Sequence, residues 1–156
     1  MSLRGAMAAF GQVEELHFHN SRKFWQEVGN VSPFIDYDGP VWRLSVPPAG
    51  VPSVIADICR VLDVEHFVDW GGGLVWLRIK GNEEDAGAAI IRDAIATDGG
   101  HATLIRAAEE KRARVPVFQP QPDALTRLSG RIKDGYDPAH ILNPGRMVAG
   151  SLASGV

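Results

Sequence analysis

Between Val41 and Arg106 two kinds of hydrophobic period succeed one another, and their order constrains the fold more than any other property of the chain. Trp42, Leu44 and Val46 alternate with Arg43 and Ser45, the period-two pattern of a half-buried strand, which Pro47-Pro48 ends. Pro52 suits the first turn of a helix with an apolar stripe of Val51, Val54, Ile55, Ile58, Val61 and Leu62. His66–Trp70 and Leu74–Lys80 read as two strands around Gly71-Gly72-Gly73, a hairpin whose turn glycines are free to take positive φ. Asn82 is then expected to cap a helix with Glu83, Glu84 and Asp85 in its first turn. Ile90, Ile91, Ala94 and Ile95 form its buried face, and Gly99-Gly100 stops it. Ala102–Arg106 is a last strand. The order β-α-β-β-α-β is the split βαβ of a ferredoxin-like α+β fold. Two helices would cover one face of its antiparallel sheet, and the other face must meet solvent, a partner or a further domain.

The flanks are less regular. Met1-Ser2-Leu3 reads as an expression-vector start, and residues 1–12 are set aside from the fold. Val13–His19 alternates loosely enough for a strand. Asn20 or Ser21 can cap a short helix through Phe24, Trp25 and Val28 that Gly29 closes. Residues 32–40 read as a loop. Glu109–Arg114 reads as a solvated connection, and Pro120 and Pro122 break regular structure after Val117-Phe118. A final amphipathic helix carries Leu125, Leu128 and Ile132 and ends at Gly135 and Asp137-Pro138. The small residues from Ala149 to Val156 are expected to fray, as a flexible tail at 149–156.

At 156 residues the chain suits one domain with a sizeable core, and its 45% hydrophobic and 22% charged content is that of a globular protein. A net charge of -3 disfavours nucleic acid as a partner. The single cysteine, Cys59, allows no intramolecular disulfide and no multi-cysteine metal site, and it suits a reducing cytoplasm. No apolar run approaches the length of a membrane span.

Several polar residues stand out, each with two readings. Asp69-Trp70-Gly71-Gly72-Gly73 is either a loop that lets a ligand approach the backbone or a tight hairpin turn with Trp70 in the core. His17 and His19 would share one side of a strand, as the start of a metal site or as an exposed pair; no third ligand lies nearby in sequence, and no metal is assigned. His101 could donate to a substrate carboxylate or serve a loop structurally. Arg106 could bind an anion bidentately or pair with a neighbouring carboxylate. His140 could touch a flavin-domain surface or face solvent. In Asn143-Pro144-Gly145-Arg146, Pro144 fixes its own φ and holds Asn143 extended while Gly145 frees the turn, so an amide is presented rigidly. No catalytic triad, P-loop or dinucleotide fingerprint is present, and the catalytic residues stay unassigned.

The closing run Tyr136-Asp137-Pro138-Ala139-His140-Ile141-Leu142-Asn143-Pro144-Gly145-Arg146-Met147 resembles the carboxyl-terminal signature of FAD-linked oxidases of the vanillyl-alcohol-oxidase type. Further ordered segments extend the likeness. They are Trp42-Arg43-Leu44-Ser45-Val46-Pro47, Asp69-Trp70-Gly71-Gly72-Gly73 with Trp76-Leu77, Gly99-Gly100-His101-Ala102-Thr103-Leu104 and Val117-Phe118-Gln119-Pro120. Together, over residues 33–147, they resemble the FAD-binding subunits of glycolate oxidase, the smaller of its flavin-type subunits.

The resemblance implies that residues 13–148 are a ferredoxin-like cap domain over the flavin of a separate amino-terminal FAD domain. It implies FAD, bound mainly by that missing domain, with Asn143, Gly145 and Arg146 near the flavin. It implies that Asp69, Trp70, His101 and Arg106 face the substrate or the domain interface. The activity implied for the parent complex is oxidation of a small 2-hydroxy acid such as glycolate to the 2-oxo acid. The implied partners are the chain's own FAD domain, the catalytic flavin subunit and an iron–sulfur subunit. The implied place is the cytoplasm, peripheral to the inner membrane through the complex. Alone, this piece is expected neither to hold FAD tightly nor to turn over. The H-x-G-D-G-N-x-H motif of metal-containing relatives is absent.

A rival reading from another class is a free-standing ferredoxin-like dimeric regulatory or ligand-binding module, paired through the uncovered sheet face. An RNA-recognition module on the same topology lacks the aromatic motifs and the basic charge.

Overall fold

The computed structural model describes residues 3–97 and 99–145; Arg146, Met147 and the tail expected at 149–156 lie outside the described residues. The chain divides into two compact units, Met1–Tyr37 and Asp38–Val156. In the first, α1 is a five-residue helix (Leu3–Met7) and α2 spans Phe18–Gly29. The strand expected at 13–19 is not there: the chain is irregular until α2 begins at Phe18. Alternation over a few residues makes a strand only where a neighbour offers hydrogen bonds. Neither Asn20 nor Ser21 caps α2; His17 holds that position, without a side-chain bond to the helix. Residues 32–40 contain a short 3-10 turn, Ser32–Phe34, with Pro33 in its first turn.

The second unit is built around a four-stranded antiparallel sheet in the order β2-β3-β1-β4. Its strands are β1 (Val41–Ser45), β2 (Val64–Asp69), β3 (Leu74–Ile79) and β4 (His101–Arg106). Two helices follow the first and third strands, α3 (Val51–Cys59) and α4 (Ala88–Ala96). This is the ferredoxin-like α+β architecture that the hydrophobic periods imply.

One face of the sheet supplies Trp42, Leu44, Val75, Leu77, Ile79, Ala102 and Leu104 to a core closed by Val54, Ile58, Ile91 and Ile95 of the helices. Trp42 lies at its centre. Its indole N–H donates to the Ala86 carbonyl at 2.8 Å, and the Arg92 guanidinium rests 5.5 Å from the ring centroid. Burying the indole is favourable because its single donor is satisfied.

The start of α4 differs from expectation. Asn82 does not cap it, and no acidic residue lies in its first turn. Asp85 takes that role from outside the helix, accepting from Gly87 N and Ala89 N at 2.9 Å each. Gly87 has φ +72, and a Cβ there would lie 2.5 Å from Ile79 Cδ1, so the chain must enter α4 on a glycine.

Glu109–Arg114, expected as a connection, is a one-and-a-half-turn helix, α5. Its two glutamates sit at the amino end and its basic residues in the last turn, which complements the helix dipole. The segment after it seals the sheet edge: Leu104 N donates to Val117 O at 2.8 Å and Ala102 N to Gln119 Oε1 at 3.4 Å. Arg92 holds this segment from the helix side by donating to the carbonyls of Pro116 and Phe118. An edge strand is thereby denied as a template for further pairing. The last helix, α6 (Asp123–Tyr136), runs through Gly135 rather than stopping there, and its Leu125, Leu128 and Ile132 are about half exposed.

Candidate functional site

The face of the sheet opposite α3 and α4 is ordered by strand register. Directly paired residues share a face, so His101, Ser45, Leu74 and Asp69 form one cross-strand row and Thr103, Arg43, Trp76 and Phe67 the next. A further row carries Glu65 opposite Arg78. That pair is bonded, with Arg78 Nε donating to Glu65 Oε2 at 3.0 Å, and Lys80 Nζ lies 3.0 Å from the other oxygen. Lys80 first, and then Arg78, hold the Glu65 carboxyl below its usual range against the opposing effect of partial burial.

At one end of this face is an open cleft of about 470 Å³, lined by Ser45, Val46, Pro47, Trp70, Gly73, Gly99, Gly100 and His101. Two close backbone approaches shape it. Gly100 lies so near β1 that a Cβ would come within 2.7 Å of Ser45 O, and Val46 N donates to Gly73 O at 3.2 Å.

Trp70 is not packed in the core, as one of its two readings had it: it is 72% exposed. Its φ is +54, a conformation that strains a bulky side chain. Asp69 holds it there by accepting the Trp70 N–H on Oδ1 at 2.7 Å. The indole lies against Arg43, whose guanidinium carbon is 5.7 Å from the ring centroid. Asp69, Trp70 and His101 therefore lie at the same end of the sheet, and Trp70 and His101 line one cleft there.

Arg106 does not join them. It pairs with Val41 at the other end of β4, five residues from His101. At strand rise that is roughly 17 Å away. Arg43, which sequence reading passed over, stands in the central strand beside the cleft. As the polar residue of a period-two strand it looks like any spacer; only the register, with Trp76 opposite and Trp70 folded over it, distinguishes it.

The terminal motif is organised by Asp137, which is 5% exposed. Its carboxylate accepts from Lys133 Nζ at 2.5 Å and from the backbone N–H groups of Ile141 and Leu142 at 3.0 Å each. Lys133 also donates to Leu142 O at 3.2 Å. This clasp turns the chain back after α6 and leads to Asn143 and Gly145, which have φ of +47 and +71. Asn143 is therefore left-handed, not extended as expected before a proline; asparagine tolerates that region better than most residues. Both are exposed, and Arg146 lies outside the described residues. His140 has its Nε2 3.4 Å from Asp134 Oδ1, so it is neither isolated nor simply solvated.

Lys133, the largest influence, and the two amides keep the Asp137 carboxyl below its usual range, with burial opposing. A lowered folded-state value means the clasp is fully present above the ordinary carboxylate range and is lost as pH falls through the folded value. Amide exchange of Ile141 and Leu142, corrected for intrinsic rates, should stay slow from pH 7 to 5 and accelerate on further acidification. Asp137→Asn should show the fast exchange already at pH 7.

Among the described residues no group of three or more His, Cys, Asp or Glu could hold a metal ion, and His17 and His19 belong to no such group. No helix among the described residues is long and apolar enough to cross a membrane.

The fold defines a ferredoxin-like α+β domain with a candidate cleft at one end of the sheet face opposite its two helices. Comparison with known proteins makes the relationship specific: the chain is similar to glycolate oxidase subunit GlcE of Escherichia coli (strain K12), with 34% identity over 128 residues. That match takes in 81% of this chain and 31% of the relative, at the relative's carboxyl-terminal region. The chain thus spans about a third of the length of the curated relative it matches, and its resemblance to the carboxyl-terminal part of a FAD-linked glycolate oxidase chain is borne out. No family model matches the chain, and no solved structure matches it significantly.

Proposed function

We propose that this chain, over residues 13–148, is the carboxyl-terminal cap domain of a glycolate-oxidase-type, FAD-linked subunit. The complex to which that subunit belongs oxidises a small 2-hydroxy acid to the 2-oxo acid. The observation that carries the reading is the likeness to the end of the glycolate oxidase subunit, over four fifths of this chain. FAD, when bound, accepts the hydride, and it would be held mainly by a preceding domain. What this chain offers fits an edge contact with such a cofactor rather than a cradle: the Asp137 clasp presents Asn143 and Gly145 on an exposed turn with positive φ. The cleft at the sheet end, with Trp70 and His101, would face the substrate and shield it from water. Partners in this reading are the subunit's own FAD domain, a catalytic flavin subunit and an iron–sulfur subunit, in the cytoplasm or at the inner membrane surface.

The test is a replacement. The carboxyl-terminal region of the bacterial subunit is exchanged for this chain, and the purified complex is assayed for bound flavin and for glycolate-dependent bleaching of its absorbance. Retained flavin with bleaching is the expected result. A stable chimera that holds no flavin, beside a tight ligand-binding dimer of the chain alone, would return the free-standing module to first place.

A further inference from the structure

Arg43 is half-buried in the central strand. Among the described residues its one recorded partner is the Trp70 ring, and no carboxylate pairs with it. Arg78, on the same face of the sheet, is by contrast bonded to Glu65. Burying a guanidinium under another domain without an anion would be costly.

The contact with Trp70 does not remove the need for an anion. A ring is not a carboxylate: the contact attracts the charge but gives the guanidinium N–H donors no oxygen acceptor. Trp70 is brought into place at a backbone cost, with φ +54 maintained by the Asp69 carboxylate. The ring thus borders a guanidinium whose donors remain available. A guanidinium fork suits the two oxygens of a carboxylate.

The surroundings select a small monoanion. The adjoining cleft, about 470 Å³, is in the lower part of the range of small-molecule sites; no lysine or arginine lines it, and Arg43 borders it through Trp70, which does. Its polar groups are the Ser45 hydroxyl, the His101 imidazole and the backbone around Gly99-Gly100. His101 is diagonal to Arg43 across β1 and β4, and Thr103 is directly opposite. Asp69 shares the face two strands from β1, roughly 10 Å across the sheet, and would repel a polyanion.

We infer that Arg43 is a carboxylate-binding residue, that Trp70 is the positioning residue that orients its guanidinium, and that a small monocarboxylate binds at the mouth of the Ser45–His101 cleft. This deepens the cap-domain proposal, on which the identity of the ligand as a 2-hydroxy acid rests; the carboxylate site itself does not depend on it.

The 156-residue chain, labelled with nitrogen-15, is titrated with sodium glycolate, sodium acetate and the uncharged glycolamide, following the Arg43 Nε–H and Trp70 indole N–H signals. Saturable shifts with glycolate and none with glycolamide are expected, and Arg43→Gln should weaken the apparent Kd by about tenfold or more. Trp70→Leu should weaken binding while keeping the Arg43 signal responsive. Equal responses to glycolate and glycolamide, no saturable response, or an unchanged Kd in a folded Arg43→Gln variant would overturn the site. If Arg43→Gln does not fold, the glycolate–glycolamide contrast in the unaltered chain decides. Acetate binding as well as glycolate upholds the carboxylate site while lending nothing to a hydroxy-acid substrate. A chimera without flavin removes the oxidase reading and leaves these titrations standing.

Discussion

Trp42→Ala is expected to remove about 3–5 kcal/mol of stability, a large share of the roughly 5–15 kcal/mol that holds a domain folded. The side chain is fully buried among Leu44, Leu77 and Leu104, and its loss opens a cavity in the middle of the core. It also strands two groups: the Ala86 carbonyl loses its donor and Arg92 loses the ring on which it rests. Trp42→Phe separates the contributions. It keeps most of the apolar volume and an aromatic face for Arg92 but leaves the Ala86 carbonyl unsatisfied, at a cost of about 1–3 kcal/mol. Urea unfolding followed by far-ultraviolet circular dichroism reads both. An alanine variant within about 1 kcal/mol of the parent would contradict the placement of this indole.

The second large effect is expected at Gly100. Its φ of +157 suits glycine, and an added Cβ would stand 2.7 Å from Ser45 O, a backbone atom of the central strand. Backbone cannot move aside as a side-chain end can, so Gly100→Ala should cost roughly 2–4 kcal/mol. Gly99→Ala is the control: its φ is +72, but nothing lies within 4 Å of the added carbon, so the cost should be about 1 kcal/mol. The difference between the two midpoints isolates the contact with β1. Amide shifts at Ser45 and His101 should change in the first variant and hold in the second, since the contact sets the pairing of those residues.

Much of this architecture was legible beforehand, and the reasons it was not everywhere are physical. Residues 41–106 declare themselves because their apolar positions are forced by burial on one side of a sheet: Leu44, Val75, Leu77, Ile79 and Ala102 all have 0% exposure. Where no burial enforces the period, reading fails. The run 13–19 alternates but begins a helix at Phe18, and α2 buries none of its residues. Capping misled in a related way. Asn82 and Asp85 both have side chains able to accept from a helix amide, and the choice between them falls to the cramped entry at Gly87. For the candidate site, Asp69 and Trp70 are neighbours in sequence, and His101 follows the glycine pair that lines the same cleft as Trp70. Arg106 shares a strand with His101, so nothing local could reveal that the two stand at opposite ends of the sheet. Arg43 was hidden for the opposite reason: it obeys the strand pattern, and its having no carboxylate partner among the described residues is a property of neighbours brought in from β2, β3 and β4.

The strand order has one more consequence, for how such a chain comes to be folded. β1 is made first yet lies inside the sheet, between β3 and β4, so each of its ladder bonds is to a strand that emerges later. The β2–β3 hairpin needs only a short loop, whereas the β1–β4 pairing must bring together segments about as far apart in sequence as Ser45 and His101. Entropy of loop closure rises slowly with length, but it must be met before distant contacts form. On the ribosome, Trp42 therefore waits with its ring unburied until the chain has grown past Ala86 for its hydrogen bond and past Leu104 for its last sheet neighbour. Even then β4 is left with an open outer edge, which closes only when Val117 has been added.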